Sequence, residues 1–188
     1  MSFPEPPWHL QGELVIVPAL VRGRQLGGVL LADYRAGTLR YHELIVFSRA
    51  TPRGMVVSHI YVDSEQSLRG GHEIWGLPKE LAEFEVTERT FTARRGGETL
   101  LRARIRRRSG RIPLIIPAPV TSDAGDTFGR ARIRAAPALV TLEIPDTSPF
   151  AGHGLAGTRL ALAGDDLRLT MPAPLRRSAG TPGRRTAS

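Results

Sequence analysis

The 188-residue chain contains no cysteine, no asparagine and only one lysine. The absence of cysteine excludes a disulfide framework, a thiolate nucleophile and cysteine-ligated metal sites. No apolar run reaches the roughly 20 residues that a membrane-spanning helix needs, and no apolar stretch follows a basic start at the N-terminus. With 41% hydrophobic residues, the chain can bury a core of its own. We therefore expect a soluble cytoplasmic protein without a membrane partner.

The net charge of +8 raises the question of a nucleic-acid partner. Part of this charge lies in the C-terminal tail, and much of the rest lies at positions 102–111, where arginines alternate with Leu101, Ala103 and Ile105. That alternation favours a half-buried strand with one solvated face over a phosphate-binding ridge. No nucleic-acid-binding motif accompanies the arginines, so we expect no nucleic-acid partner.

The basic residues are unevenly divided between the two types. Lysine and arginine together number 26, and Lys79 is the only lysine. A GC-rich genome explains the general preference for arginine. Arginine cannot be deprotonated, whereas a lysine amine can lose its proton and attack carbonyl groups. Lys79 is therefore either a lysine that remains by chance or a position where arginine cannot replace lysine. The count alone does not decide between the two.

Short strand signals separated by Gly, Pro and Asp run along most of the chain. They predict strands at 13–20, 28–32, 39–47, 55–62, 84–87, 91–95, 99–107, 114–116, 139–144, 159–162 and 167–171. A helix is predicted at 64–68, with Asp63 as N-cap and Gly70-Gly71 as its end, and a second helical turn at 72–75. This mostly β pattern with one or two short helices predicts a closed or nearly closed antiparallel sheet. We expect one domain at 1–177 and a disordered basic tail at 178–188.

Several familiar motifs are absent or lack their context. Gly152 to Gly157 spells G-x-G-x-x-G, but prolines precede it and a strand signal follows, so we interpret it as a flexible loop and not as a dinucleotide site. No histidine pair has the i, i+4 spacing of a zinc protease, and no Gly-x-Ser-x-Gly elbow occurs. We therefore expect no metal and no organic cofactor. His59 and Tyr61 share one face of a predicted strand, a face that could line a barrel interior.

Lys79 follows Gly76-Leu77-Pro78. Pro78 fixes the backbone just before the lysine, and Trp75 and Leu77 can surround its amine with apolar surface. Since desolvation penalises the charged form of a lysine, we expect deep burial, no carboxylate close to the amine, and a largely neutral amine near pH 7. The alternative is a surface lysine that pairs with Glu80 or Glu83.

Three segments around Lys79 resemble signatures of the acetoacetate decarboxylase family in order and spacing: Tyr61-Val62-Asp63-Ser64-Glu65, Gly71-His72-Glu73 and Leu77-Pro78-Lys79-Glu80-Leu81. The resemblance implies an acetoacetate decarboxylase-like closed antiparallel β-barrel with an apolar central cavity, and assembly into a homo-oligomer. It also implies that Lys79 forms a Schiff base with a keto acid. By position, Glu43 matches a glutamate of the family's active site.

The sequence departs from the family pattern near the predicted site. Glu80 stands where the family has a second lysine, and His72 stands where it has an arginine. We find no counterpart of the family's N-terminal active-site arginine around Gln11 and Gly12, and Gly27 or Gly28 replaces a second glutamate. Given these departures, the resemblance supports the fold and the lysine better than it supports acetoacetate as the substrate.

The leading hypothesis is a lyase in which Lys79 forms an imine with a β-keto acid or a related oxo-acid, while Glu43 acts as acid and base. The predicted substrate pocket comprises His59, Tyr61, Trp75, Leu77 and Glu80. A second hypothesis is an aldolase, dehydratase or cyclase of small-molecule biosynthesis on the same fold. A third is a non-catalytic protein whose apolar channel binds a hydrophobic ligand.

Overall fold

The computed structural model describes residues 2–51, 54–107, 110–122 and 124–175. Its elements, in chain order, are β1 Trp8–Val21, β2 Gln25–Gly37, β3 Tyr41–Thr51, β4 Gly54–Val62, α1 Glu65–Trp75, β5 Lys79–Leu81, β6 Glu83–Val86, β7 Thr90–Arg95, β8 Glu98–Arg107, β9 Ile112–Ser122, β10 Gly125–Glu143 and β11 Gly157–Met171. The predicted mostly β fold with one or two short helices is confirmed. The predicted tail at 178–188 lies outside the described residues.

Seven strands form a ring by successive pairing. The order runs β11, β1, β2, β3, β4, β9 and β10, and β10 pairs back with β11. These pairings are antiparallel except that of β4 with β9, which is a parallel contact between Met55 and Val120. β5 adds to β4 in parallel and places Lys79 beside Ile60. This strand ring is the frame that holds the site.

Alternating side chains give the strand ring two apolar faces. On the outer face, residues such as Val17, Leu31 and Val46 form one buried cluster with side chains of β7 and β8. On the inner face, Ile60 and Ile133 belong to a second buried cluster. The two clusters lie on opposite faces of a single layer of strands, so the wall of the ring is apolar on both sides.

The helix begins and ends differently from the prediction. Ser64, and not Asp63, caps α1, because its hydroxyl accepts the Ser67 N–H at 3.2 Å, whereas the Asp63 carboxylate accepts the His42 backbone N–H at 2.7 Å. Gly70 and Gly71 lie inside the helix. The helix ends at Gly76, whose φ of 59° is left-handed and therefore suits glycine.

The long strand β10 was predicted only in part. β10 extends over Gly125–Glu143, whereas the strand signal covers only 139–144. Its N-terminal half alternates small or apolar inner residues with exposed arginines, and it includes Gly125, Asp126 and Gly129, residue types that are depleted in strands. The alternation predicted around 101–107 is confirmed, since Leu101 and Ala103 are buried and Arg102 is exposed in β8.

The G-x-G-x-x-G segment forms a loop between β10 and β11. A short 3₁₀ turn at Ala151–His153 overlaps its beginning, and Gly157 opens a strand and not a helix. The interpretation that this motif is not a dinucleotide site is consistent with these elements. In the part of the chain that the structure describes, no helix is long and apolar enough to cross a membrane.

Candidate active site

A cavity of about 320 Å³ lies inside the strand ring. All seven ring strands contribute to its wall, together with Trp75 at the end of α1 and Lys79 on β5. The two tryptophans of the wall turn their indole N–H groups away, because Trp8 donates to the Pro4 carbonyl and Trp75 donates to the Pro172 carbonyl, both at 2.9 Å. The cavity surface is therefore apolar except at one end.

Four polar side chains mark that end: Tyr34, Tyr41, Glu43 and Lys79. The Lys79 Nζ donates to Glu43 Oε1 at 2.8 Å and to the Ser67 hydroxyl at 2.9 Å. The side chains of Lys79 and Glu43 are only 4% and 6% exposed. The Tyr41 ring lies with its centroid 5.2 Å from Nζ, which adds a cation–π contact.

The sequence predicted that no carboxylate lies close to the Lys79 amine, whereas Glu43 forms an ion pair with it. Strand alternation brings Glu43 to the inner face of β3, while its neighbour His42 points outward and contacts Asp63. A carboxylate at this distance stabilises the ammonium form. An amine able to attack a carbonyl group therefore requires a proton to leave Nζ, and Glu43 Oε1 is in hydrogen-bond contact to receive it.

The backbone around Lys79 is fixed from both sides. Lys79 pairs with Ile60 of β4, and its carbonyl oxygen is 2.7 Å from His72 Nε2 on α1. The lysine stem then runs against the helix at Gly71, where an added Cβ would lie 2.5 Å from Lys79 Cδ. Gly71 thus leaves room for the lysine stem, and the neighbouring Gly70 leaves room for the Trp8 ring, which explains a glycine pair in the middle of a helix.

Two buried tyrosines complete the polar end. The Tyr34 hydroxyl donates to Glu43 Oε2 at 3.2 Å, and the rings of Tyr34 and Tyr41 lie 4.8 Å apart between centroids. Burial, with a further contribution from the Glu43 charge, raises the pKa of both tyrosines well above the ordinary value. Tyr34 therefore stays a phenol and can donate its proton in a hydrogen bond to the carboxylate.

The structure brings together four of the residues predicted for the site. Lys79, Glu43, Trp75 and Leu77 all line the cavity. His59, Tyr61 and Glu80 are absent from its lining.

The reason is the alternation of β4 and β5. Because Ile60 and Lys79 face inward, Tyr61 and Glu80, which pair with each other in the register, face outward. Glu80 forms an ion pair with Arg95, and the His59 ring packs against Phe150 at 5.6 Å between centroids.

The sequence prediction missed Ser67, Tyr34 and Tyr41 as site residues. Tyr41 has the same parity as Glu43 on β3, so period-two alternation could have assigned it to the same face. Tyr34 pairs directly with Tyr41 across the β2–β3 hairpin. Ser67 lies one helical turn before Gly71 and so shares its face. Only the packing of α1 against β5 reveals that this face meets Lys79.

Among residues 2–51, 54–107, 110–122 and 124–175, no group of three or more His, Asp or Glu side chains is arranged to hold a metal ion. The chemistry that the site itself offers is a buried amine, a carboxylate in contact with it, and an adjoining apolar space.

Comparisons with known proteins point to one family. A family model described as acetoacetate decarboxylase matches residues 16–148. A search of curated proteins found no significant match. Among solved structures, acetoacetate decarboxylase from Legionella pneumophila subsp. pneumophila str. Philadelphia 1 is 14% identical and superposes with a TM-score of 0.69, covering 95% of this chain and 90% of that chain.

Two further structures are of the enduracididine biosynthesis enzyme MppR. The one complexed with pyruvate is 13% identical, with a TM-score of 0.60 and coverage of 93% of this chain and 91% of that chain. The one complexed with the condensation product of pyruvate and imidazole 4-carboxaldehyde is 12% identical, with a TM-score of 0.58 and coverage of 93% and 90%. At these identities the similarity establishes a shared fold.

Proposed function

Because the chain belongs to the acetoacetate decarboxylase family, we propose that it is a lyase that forms a Schiff base between Lys79 and a β-keto acid or a related oxo-acid. One observation carries the proposal. The Lys79 amine is buried at the polar end of an apolar cavity, 2.8 Å from the Glu43 carboxylate. A lysine in such a site can act as a nucleophile toward carbonyl groups once its proton has been removed.

The first step is imine formation. Glu43 Oε1 accepts a proton from Lys79 Nζ, and the neutral amine adds to the substrate carbonyl carbon. A proton moves from the attacking nitrogen to the former carbonyl oxygen to give a carbinolamine, and protonated Glu43 then donates its proton to this hydroxyl, which leaves as water. The product is a protonated imine, which carries the positive charge that the ammonium carried before.

The second step uses the protonated imine as an electron sink. The bond between the α-carbon and the carboxylate breaks, carbon dioxide leaves, and the electron pair moves to the nitrogen as an enamine forms. Protonation of the enamine carbon and hydrolysis by water return the ketone and the free lysine. The balance is one proton consumed and one carbon dioxide released for each β-keto acid.

Two neighbours hold the reacting pair in place. Tyr34 fixes Glu43 Oε2, which leaves Oε1 directed at Lys79. The Ser67 hydroxyl holds Nζ at 2.9 Å from the side of α1. The apolar wall excludes water, and this strengthens the electrostatic effect of Glu43 on a cationic intermediate.

Reductive trapping tests the proposal directly. Borohydride with acetoacetate or pyruvate should leave a stable adduct on Lys79 in the native protein. Because Lys79 is the only lysine, the adduct has one side-chain position available besides the N-terminal amine. Trypsin does not cleave at a modified lysine, so the adduct would appear on the peptide between Arg69 and Arg89.

Substitutions of Lys79 and Glu43 test the role of each residue, and a substitution of Glu80 serves as the control. Lys79→Arg keeps the charge and should abolish both adduct and turnover. Glu43→Gln should slow turnover by about 10²–10⁴-fold, the usual contribution of a general acid–base group. Glu80→Gln is the control, because Glu80 lies outside the cavity. Turnover that survives in Lys79→Arg without any adduct in the native protein would refute the imine mechanism.

The same imine also supports condensation, dehydration or ring closure, and one observation favours this second candidate. Among the described residues that line the cavity, Lys79 is the only cation, so no further positive group is available to hold a carboxylate. Structural relatives include MppR with a condensation product bound. Substrate consumption with equimolar carbon dioxide supports decarboxylation, whereas consumption without carbon dioxide supports the second candidate.

Several expectations from the sequence stay predictions. They are the oxo-acid substrate, the assembly into a homo-oligomer and the cytoplasmic location. A ligand that binds in the cavity without adduct or turnover would favour the remaining alternative, a protein that binds hydrophobic ligands.

A further inference from the structure

The cavity wall can be divided into levels along the strands, where a level is the set of inward-facing residues that lie side by side on neighbouring strands. Glu43 lies at the level of Ala32 and Leu14 on the two neighbouring strands. The next inward-facing level consists of Ile45, Leu30 and Ile16, and the level after that of Phe47, Gly28 and Pro18. Leu26 of the wall lies two residues further along β2. At about 3.3 Å per residue, the wall continues for roughly 20 Å beyond Glu43.

The side chains of the second level do not fill the space between them. Ile45, Leu30 and Ile16 lie in the middle of paired strands, yet they are only partly buried, whereas their outward-facing neighbours Leu44 and Leu31 are fully buried. Aliphatic side chains at the centre of a sheet normally pack against other apolar groups. Their remaining surface faces the cavity, so an apolar ligand there would remove it from water.

The wall also has no partner for a charge. The two charged residues among its described members, Lys79 and Glu43, already neutralise each other at 2.8 Å. A charged group placed at the level of Ile45 would lose its hydration without gaining a counter-ion or a hydrogen bond. The part of the substrate that extends from the reacting carbonyl to the level of Ile45 must therefore be uncharged.

The volume sets the size of this part. If each non-hydrogen atom takes about 30 Å³, the share of a water molecule in the liquid, the cavity of about 320 Å³ holds about ten such atoms. We infer that the substrate of the Lys79 site carries an apolar, uncharged chain on one side of its carbonyl group. With this chain, the whole substrate molecule has about ten non-hydrogen atoms. This inference rests on the proposed function.

A series of methyl ketones tests the inference without requiring turnover. Borohydride trapping on Lys79 is measured against concentration for 2-butanone, 2-hexanone, 2-octanone and 2-decanone. The half-saturating concentration should fall by about fourfold for each added methylene, which corresponds to about 0.8 kcal/mol, and should level off near 2-decanone. 2-Pentanone should be trapped far better than 4-oxopentanoate, which has the same chain with a terminal carboxylate.

Variants separate chain recognition from imine formation. Ile45→Trp should block the second level, so that 2-octanone loses its advantage while 2-butanone is still trapped. Met55→Trp tests the same idea at the outer end of the wall and should affect only the longest ketone. Leu160→Trp is the control, since Leu160 is 69% exposed and lies outside the cavity lining.

The outcomes for the two proposals differ. Trapping of all ketones with equal half-saturation would overturn the inferred apolar chain and leave the imine mechanism standing. Better trapping of 4-oxopentanoate than of 2-pentanone would do the same. Absence of any Lys79 adduct with every carbonyl compound, in a protein with native circular dichroism, would overturn the proposed function itself.

Discussion

Gly71 is the position where a single methyl group should disturb the site most. It lies inside α1, where alanine is favoured over glycine by about 1 kcal/mol on helix propensity alone. A Cβ at this position would lie 2.5 Å from Lys79 Cδ and 2.8 Å from Cε, whereas carbon atoms normally approach to about 3.5–4.0 Å. Gly71→Ala therefore forces either the lysine or the helix to move.

The lysine cannot move without a penalty. Its amine is held by Glu43 and Ser67, and separating a buried ion pair costs about 3–5 kcal/mol. Overpacking of a buried contact costs about 1–3 kcal/mol. We therefore expect Gly71→Ala to destabilise the protein by about 1–3 kcal/mol, against the helix propensity, and to weaken borohydride trapping on Lys79.

A double-mutant cycle isolates the contact between Gly71 and the lysine stem. In the background Lys79→Ala the stem is absent, so Gly71→Ala should become stabilising by up to about 1 kcal/mol. In the background Lys79→Met, which keeps an unbranched stem without the charge, the substitution should still destabilise. Urea unfolding followed by tryptophan fluorescence supplies the free energies, because Trp8 and Trp75 are both buried.

The result that would refute this reasoning is a Gly71→Ala substitution with the same effect in all three backgrounds. Such additivity would mean that the two side chains do not contact each other. The lysine stem would then take another route to the cavity than the one along α1.

Three further predictions concern residues other than those that line the cavity. A hydrogen bond with Asp63 raises the pKa of His42 above its ordinary value of 6.5. The stability that this bond contributes is fully present below that ordinary value and is lost as pH rises through the raised pKa. Asp63→Asn should therefore cost more stability at about pH 5.5 than at about pH 8.5, as measured by urea unfolding. Glu80→Lys should replace an ion pair with Arg95 by a repulsion, which lowers stability by up to about 1 kcal/mol while trapping on Lys79 is unchanged; enhanced trapping would show that position 80 faces the amine. Removing residues 178–188 should leave the melting temperature nearly unchanged because the segment lacks bulky apolar residues, and a fall of many degrees would contradict this.

The sequence predicted the class of fold because strand signals are local. Alternation around Leu101 and Ala103 and the turn residues between strands were sufficient for that purpose. The extent of β10 was missed because its N-terminal half begins with Gly125-Asp126 and contains Gly129, and glycine and aspartate are depleted in strands. Its partners β9 and β11 hold it in the sheet, and such pairing between distant segments leaves no local pattern.

The candidate site was predicted in part for a related reason. Lys79 is conspicuous as the only lysine, and the resemblance to the family pointed to Glu43. The face of β4 that lines the cavity could not be determined from β4 alone, because both of its faces are apolar. The choice is made by the parallel register with β5, which puts Ile60 beside Lys79 and leaves His59 and Tyr61 outside.

The Lys79–Glu43 pair allows the apolar cavity to contain the reactive lysine that we propose. Burying one charge alone in such a place is strongly unfavourable, whereas an ion pair with further hydrogen bonds is tolerated. Transfer of the proton from Nζ to Oε1 turns the pair into a neutral amine and a neutral acid, so the cavity holds no net charge in either state. An amine ready to attack and an acid ready to expel water are thereby produced in one step. An arginine at position 79 could pair with Glu43 but could not release the proton, and this distinction gives a chemical reason for lysine at this one position.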